Sequence, residues 1–123
     1  MNVAWLLPYF SALAEQDYAQ ITFGGGGASS PLWGQILADA TGVPVRRLAQ
    51  SSCTNAHGAA LLALAETGAC LLSDLPNFLV TAEVHEPHEP NHRLLAARTA
   101  SLVDFHTRNA EFYAAFDSKD DMS

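Results

Sequence analysis

The residues best placed to do chemistry are Gly24-Gly25-Gly26-Gly27-Ala28-Ser29-Ser30-Pro31. Glycines in succession carry no Cβ, so the main chain can turn sharply and lie directly against a ligand. Ser29 and Ser30 offer N-cap hydroxyls, and Pro31 suits the first position of a helix. A helix starting there would aim unbonded N–H groups and a partial positive charge at the loop, which suits a phosphate. A turn that binds nothing would account for a single Gly pair. Four glycines before a capped helix favour a ligand. No Gly-Lys-Ser/Thr follows, so the loop is not a P-loop. A dinucleotide fingerprint could begin at Gly24 and Gly26, but position 29 is Ser, and Arg46 and Arg47 stand where an acidic residue is expected. Those arginines could meet a 2′-phosphate, which keeps an NADP-type binding domain as an alternative.

The elements around the loop follow from periodicity and punctuation. Tyr18 to Phe23 is a β-branched and aromatic run, hence a strand leading into the glycines. Leu32, Trp33, Ile36, Leu37 and Ala40 form one stripe of an amphipathic helix, expected to face the core and closed by Gly42. Pro44 leads into a second strand, Val45 to Leu48, and strand–helix–strand implies a parallel pair. A polar segment, 50–55, precedes a small-residue helix from about Ala56 to Thr67, expected to be buried and ended by Gly68. Upstream, residues 3–16 read as a helix, with Pro8 a candidate first-turn residue. Downstream come a short helix near Leu75 to Leu79 and an extended connector from His85 to Pro90. A long helix from Asn91 or His92 to Phe116 and a polar tail over 117–123 complete the chain. The chain opens inside a helix, which suggests a piece of something longer.

The run Ile21-Thr22-Phe23-Gly24-Gly25-Gly26-Gly27-Ala28-Ser29-Ser30-Pro31-Leu32-Trp33, continued by Gln35-Ile36-Leu37-Ala38-Asp39 and Gly42-Val43-Pro44-Val45, resembles the FGGY carbohydrate kinases. Within them it is similar to the xylulokinase branch. There a strand ends in Gly-Gly-Gly-Ala-x-Ser, a helix carries Leu-Trp and Gln-Ile-x-Ala-Asp, and Gly-x-Pro-Val opens the next strand. Gly58-Ala59-Ala60-Leu61-Leu62-Ala63 matches the family's Gly-Ala-Ala-Leu-Leu-Ala helix. The resemblance implies an α/β fold, the C-terminal portion of the actin-like, ribonuclease H-like ATPase fold, with an incomplete sheet and flanking helices. Residues 1–123 would be a single partial domain. It implies ATP, with Mg²⁺ as the ATP complex, and a sugar or polyol as the partner substrate in the complete enzyme. Carried over residue by residue, it places Gly25, Gly26, Gly27 and Ala28 at the phosphates, and Ser30 and Pro31 near the adenosine.

The same resemblance defines what these residues lack. The family's catalytic Asp sits in a Gly-x-x-Asp motif upstream of the glycine loop, and only about 20 residues precede Phe23 here. Neither Asp17 nor Asp39 can be assigned to replace it, and Asp39 reads as a structural helix acid. The chain is therefore expected to bind nucleotide without phosphorylating sugar on its own. A non-catalytic nucleotide-binding or structural module is the alternative. Two parallel strands make an incomplete sheet, so self-association is expected.

Composition narrows the classes further. Six Lys+Arg against 13 Asp+Glu give a net charge of −7, which argues against nucleic-acid binding. No apolar run nears the roughly 20 residues of a membrane span, and no targeting signal is evident, so a cytoplasmic setting is expected. Cys53 and Cys70 read as small, partly buried thiols. His85, His88 and His92 with Glu86 and Glu89 have metal-like spacing, but the prolines hold them extended and apart, so no metal site is expected. His57 reads as a capping or core residue, and Arg46 and Arg47 as solvated strand-end residues. Phe105, Phe112, Tyr113 and Phe116 read as core contacts of the last helix.

Overall fold

A computed structural model describes residues 2–114. Helix α1 (Asn2–Ala14) precedes strand β1 (Ile21–Phe23), a 3-10 turn (Gly26–Ser29), helix α2 (Pro31–Thr41) and strand β2 (Val45–Leu48). A second 3-10 turn (Ser51–Cys53) leads into helix α3 (Thr54–Glu66). A third (Leu72–Phe78) leads into strand β3 (Thr81–His85) and helix α4 (Glu89–Arg108). The three strands form one mixed sheet in the order β1-β2-β3. As the strand–helix–strand pattern requires, β1 and β2 are parallel, with Ile21 opposite Val45 and Phe23 opposite Arg47. β3 runs antiparallel to β2, with His85 opposite Val45 and an irregularity between Arg47 and Leu48.

Several expectations hold at the level of single residues. Gly42 closes α2 in the left-handed conformation at φ 71°, and its N–H donates to the Ala38 carbonyl. Pro31 opens that helix at its first turn. Others need correction. Pro8 does not start α1 but lies inside it. Ser30 is the N-cap residue of α2, yet neither serine caps it by side chain, and the Ser29 hydroxyl donates instead to the Gly26 carbonyl at 2.6 Å. The segment near His85 is not wholly a connector, because Thr81–His85 is a strand and α4 starts at Glu89 with Pro90 in its first turn. Past Asn109, residues 110–114 are again helical. Phe116 and the polar tail lie outside the described residues.

The core is small. Its buried apolar side chains are Ala28, Ala38, Ala40, Val45, Leu48 and Leu61, and Val45 is the largest that is fully buried. Helix α2 sits on one face of the sheet through Gly34 and Ala38, not through its large residues. The space under Gly34 is taken by the buried His85 ring, whose Cδ2 would lie 2.5 Å from an added Cβ. Trp33 is 58% exposed, and Leu32 and Ile36 are also exposed, so of the stripe expected to face the core only Ala40 is buried, with Leu37 half-buried. Leu62 and Leu64 of α3 are exposed as well, so α3 is not buried within this chain. Phe105, Phe112 and Tyr113 are likewise exposed rather than core. The His106 ring packs edge-on against Trp5 and stacks on Tyr113, joining α1 to the end of α4.

The α2–α4 joint turns on Asp39, which is only 4% exposed. Its carboxylate accepts from the His88 N–H at 2.8 Å, from Asn91 Nδ2 at 2.8 Å and from Gln35 Nε2 at 2.9 Å. Its carbonyl lies 3.0 Å from His92 Nδ1, and because a carbonyl can only accept, Nδ1 carries the proton. His88 is the N-cap residue of α4, so Asp39 satisfies that helix start from a neighbouring helix. Burial pushes the Asp39 carboxyl up, but these hydrogen bonds and the nearby His88 ring outweigh it and leave the pKa lowered. Asp39 is structural, as its position in the helix suggested.

Candidate functional site: the glycine loop

The loop is built where β1 ends against β2 and the chain must reverse into α2. Gly25 takes φ +90°, a region that side chains avoid, and this turns the chain. Its N–H donates to Thr54 Oγ1 at 3.0 Å, and its carbonyl accepts from the Ala28 N–H at 3.0 Å. The Thr54 hydroxyl in turn donates to the Ser51 carbonyl at 2.8 Å, so the loop is fastened to the start of α3. Gly24 must lack a Cβ because Thr54 occupies that space at 2.8 Å.

The six residues expected at the nucleotide fall on one short arc, and they play different parts. Gly26 and Gly27 are exposed, and among the described residues their amides donate to no partner. A Cβ on Gly26 would meet nothing within 4 Å, so its open side faces solvent. Ala28 is fully buried, with its N–H used by Gly25 and its carbonyl by Arg47 Nη1 at 3.2 Å. It therefore shapes the loop, and Gly26 and Gly27 are its unbonded amides. Ser30 is half-buried, and its N–H closes back on the Gly27 carbonyl at 3.3 Å. Pro31 is exposed and begins α2, whose first turn holds no acidic side chain to cancel the helix-end potential.

Three residues outside the glycine run help to hold this site together. Thr54 fastens the loop, and the one available signal was its place in the polar segment just before the Gly-Ala-Ala helix. Arg46 and Arg47 lie within β2 and do not flank its end in solvent. Arg46 Nη2 reaches Thr22 Oγ1 at 3.2 Å, while Arg47 bridges Ala28 and the Glu83 carboxylate at 3.3 Å. His57 lines a cavity of about 250 Å³ on the far flank of Gly24, with Thr22, Leu48, Gln50, Thr54 and Leu79 among the other walls. That space is small and largely apolar, so it suits no polyphosphate. Cys53 is exposed and Cys70 half-buried, and both are free thiols, so the expectation of partial burial fails for Cys53.

Among the described residues, no group of three or more His, Cys, Asp or Glu converges as a metal-ligand set. His85 lies against Glu83 at 3.5 Å, while His88 and His92 serve the Asp39 joint. Residues 24–31 contain no carboxylate, so the loop itself offers no acid to hold Mg²⁺. Free amides, an uncluttered Gly26 and a helix N-terminus do fit a phosphate chain. No helix among the described residues is long and apolar enough to cross a membrane.

The model of the FGGY family of carbohydrate kinases, C-terminal domain, matches residues 1–67, more than half of the chain. This chain belongs to the FGGY carbohydrate kinases. The FGGY match covers α1, β1, the glycine loop, α2, β2 and α3, so the loop residues, Arg46, Arg47 and Thr54 lie inside it, while Leu79 and Glu83 lie beyond it. Among curated FGGY relatives, an autoinducer-2 kinase from Enterobacter sp. (strain 638) is 41% identical over 69 residues, 56% of this chain and 12% of that protein. An autoinducer-2 kinase from Yersinia enterocolitica is 61% identical over 28 residues, 23% of this chain and 5% of the relative. Among solved structures, a ligand-bound xylulose kinase from Lactobacillus acidophilus superposes with a TM-score of 0.71 at 22% identity. It covers 93% of this chain and 24% of its own. A gluconate kinase from the same organism gives 0.70 at 22% identity, covering 87% of this chain and 22% of its own. At that identity the two structures establish the fold, the actin-like ATPase fold of FGGY sugar kinases. This chain thus spans about an eighth of the first relative's length and a quarter of the first structure's.

Proposed function

We propose that this chain forms the ATP side of an ATP-dependent sugar kinase, xylulokinase-like, in which the γ-phosphoryl group of MgATP passes to a sugar or polyol hydroxyl. The observation that carries this reading is the pair of unbonded amides at Gly26 and Gly27, set beside the α2 N-terminus with no side chain in front of Gly26. Those amides would hold phosphate oxygens, and Ser30 and Pro31 would lie toward the adenosine. Mg²⁺ would arrive with the nucleotide, since residues 24–31 supply no acid for it. A xylulose-type acceptor is favoured by the unbroken motif from Gly25 to Val45. The autoinducer-2 kinase relatives make a second acceptor worth assaying. A cytoplasmic site, where ATP is supplied, completes the reading.

A second reading, a nucleotide-binding module without catalysis of its own, is favoured by the fate of the acids. Asp39 is bound up in the α2–α4 joint, and Glu83 is paired with Arg47. We therefore propose that these 123 residues alone bind ATP and do not phosphorylate sugar. Calorimetric titration of MgATP into wild type and Gly26→Val tests the binding. A Val side chain should cut affinity at least about tenfold by blocking main-chain approach while leaving the fold intact. Equal heats for both proteins, or NADP bound as tightly as ATP, would sink the reading. A coupled assay with xylulose, gluconate and autoinducer-2 should show no turnover by the chain alone. Steady product formation would refute the non-catalytic part.

A further inference from the structure

We infer that Arg47 is a positioning residue for the nucleotide loop, and that through it Glu83 of β3 governs how firmly the chain holds phosphate. The inference rests on the ATP-binding reading above. Three facts carry it. The Arg47 side chain is 14% exposed, far more buried than an unengaged arginine on a small domain would be. Its Nη1 donates to the Ala28 carbonyl at 3.2 Å, and its Nη2 to Glu83 Oε2 at 3.3 Å, so one planar fork joins the loop to the far strand. Its Nε has no partner, which confines its bonding to these two contacts among the described residues.

The consequence follows from where Ala28 sits. The peptides on either side of it are pinned in opposite directions. Its N–H holds the Gly25 carbonyl, and its carbonyl is held by Arg47. Gly26 and Gly27 bridge that closed arc and have no side chains to stiffen it. Glycine has the largest conformational freedom to lose, so an unpinned arc would have to be ordered by the ligand itself. Arg47 therefore acts ahead of binding, by keeping the two free amides in place. Glu83 contributes by holding the guanidinium across the sheet, at the position opposite Arg47 in the β2–β3 register. Residue 83 lies beyond residues 1–67, so the loop depends on a part of the chain that the family match does not reach.

The test uses the full 123-residue chain with wild type, Arg47→Met, Arg47→Lys, Glu83→Gln and the double variant. It is run where circular dichroism shows each to be folded. Arg47→Met should weaken ATP about tenfold while adenosine, which lacks phosphates, binds as to wild type. Glu83→Gln should weaken ATP less, and should add nothing in the Arg47→Met background. Lysine keeps the charge but cannot bridge both partners, so Arg47→Lys should recover only part of the affinity. Independently of nucleotide, the backbone amide resonances of Gly25, Gly26 and Gly27 should shift in Arg47→Met. Unmoved glycine resonances, an equal loss for ATP and adenosine, or full rescue by lysine would each overturn the inference. If wild type and Gly26→Val bind ATP alike, the ATP reading has failed instead, and the glycine resonances still report on the pin.

Discussion

The Gly25 N–H donates to Thr54 Oγ1 at 3.0 Å, across 29 residues of sequence. A loop that looks self-contained, glycines running straight into a helix, is in fact fastened by the first residue of a different helix. The same threonine fills the space a Cβ on Gly24 would need. Replacing it by valine keeps the shape and removes the hydroxyl. Thr54→Val should then cost about 1–3 kcal/mol by leaving the Gly25 N–H without its partner, and should weaken ATP as well. Thr54→Ser should retain most of both. Urea denaturation with parallel ATP titration measures the two effects, and a valine variant as stable as wild type would contradict the role given to this bond.

Gly34 is required by His85, a buried ring on a strand that comes fifty-one residues later in the chain. An added Cβ would stand 2.5 Å from His85 Cδ2, and the ring is too enclosed to yield freely. Gly34→Ala should therefore destabilise the chain by about 1–3 kcal/mol despite alanine's higher helix propensity. The thermal midpoint decides it, and a rise would show that the α2–sheet contact is looser than this packing.

Asp39 sets an acid limit on stability. Its carboxyl is held below the ordinary value of 3.8, because hydrogen bonds from His88, Asn91 and Gln35 outweigh burial, which alone would raise it. The native state thus binds that proton less readily than the unfolded chain. The stabilisation is fully present above the unfolded value near 3.8 and disappears as pH falls through the lower folded one. Asp39→Ala should cost on the order of 3 kcal/mol near neutral pH, since several buried donors lose their acceptor. Asp39→Asn should lose less, and its deficit relative to wild type should shrink as the pH drops below about 4. Urea midpoints across an acid series check this. A deficit that does not change with pH would remove the carboxylate from the account.

Among the described residues, nineteen large apolar side chains are exposed, against a core of six small and medium ones. The outer edges of β1 and β3 have no strand partner among the described residues, and no residue of α1 is buried. We expect the isolated chain to self-associate, with light scattering reporting a mass above 13.1 kDa that rises with concentration. A single monomeric species at about 100 µM would count against this.

What could be read without coordinates was local. The glycine run between β1 and α2, Gly42 in its left-handed cap, the parallel β1–β2 pair and the Gly-Ala-Ala helix all depend on neighbours within a turn or a short crossover. β3 is hard to read from sequence because its apolar face, Ala82 and Val84, is short and exposed while the buried position is the polar His85, and the nearby prolines point only to an extended linker. The core face of α2 was misjudged for a different reason. A period of large side chains shows that a helix has two sides, but not which side meets a sheet. Here the close approach goes to Gly34 and Ala38, leaving Trp33 outside.

The amino-acid order by itself determined that amides between Phe23 and Pro31 would stand bare, since glycine and a helix start are properties of the chain. Which of those amides stay open was decided only in three dimensions. Thr54 takes Gly25, Ala28 turns inward onto Arg47, and Gly26 and Gly27 are left free. The reason is that hydrogen bonds and steric exclusion act over a few ångströms of space, whatever number of residues separates the partners.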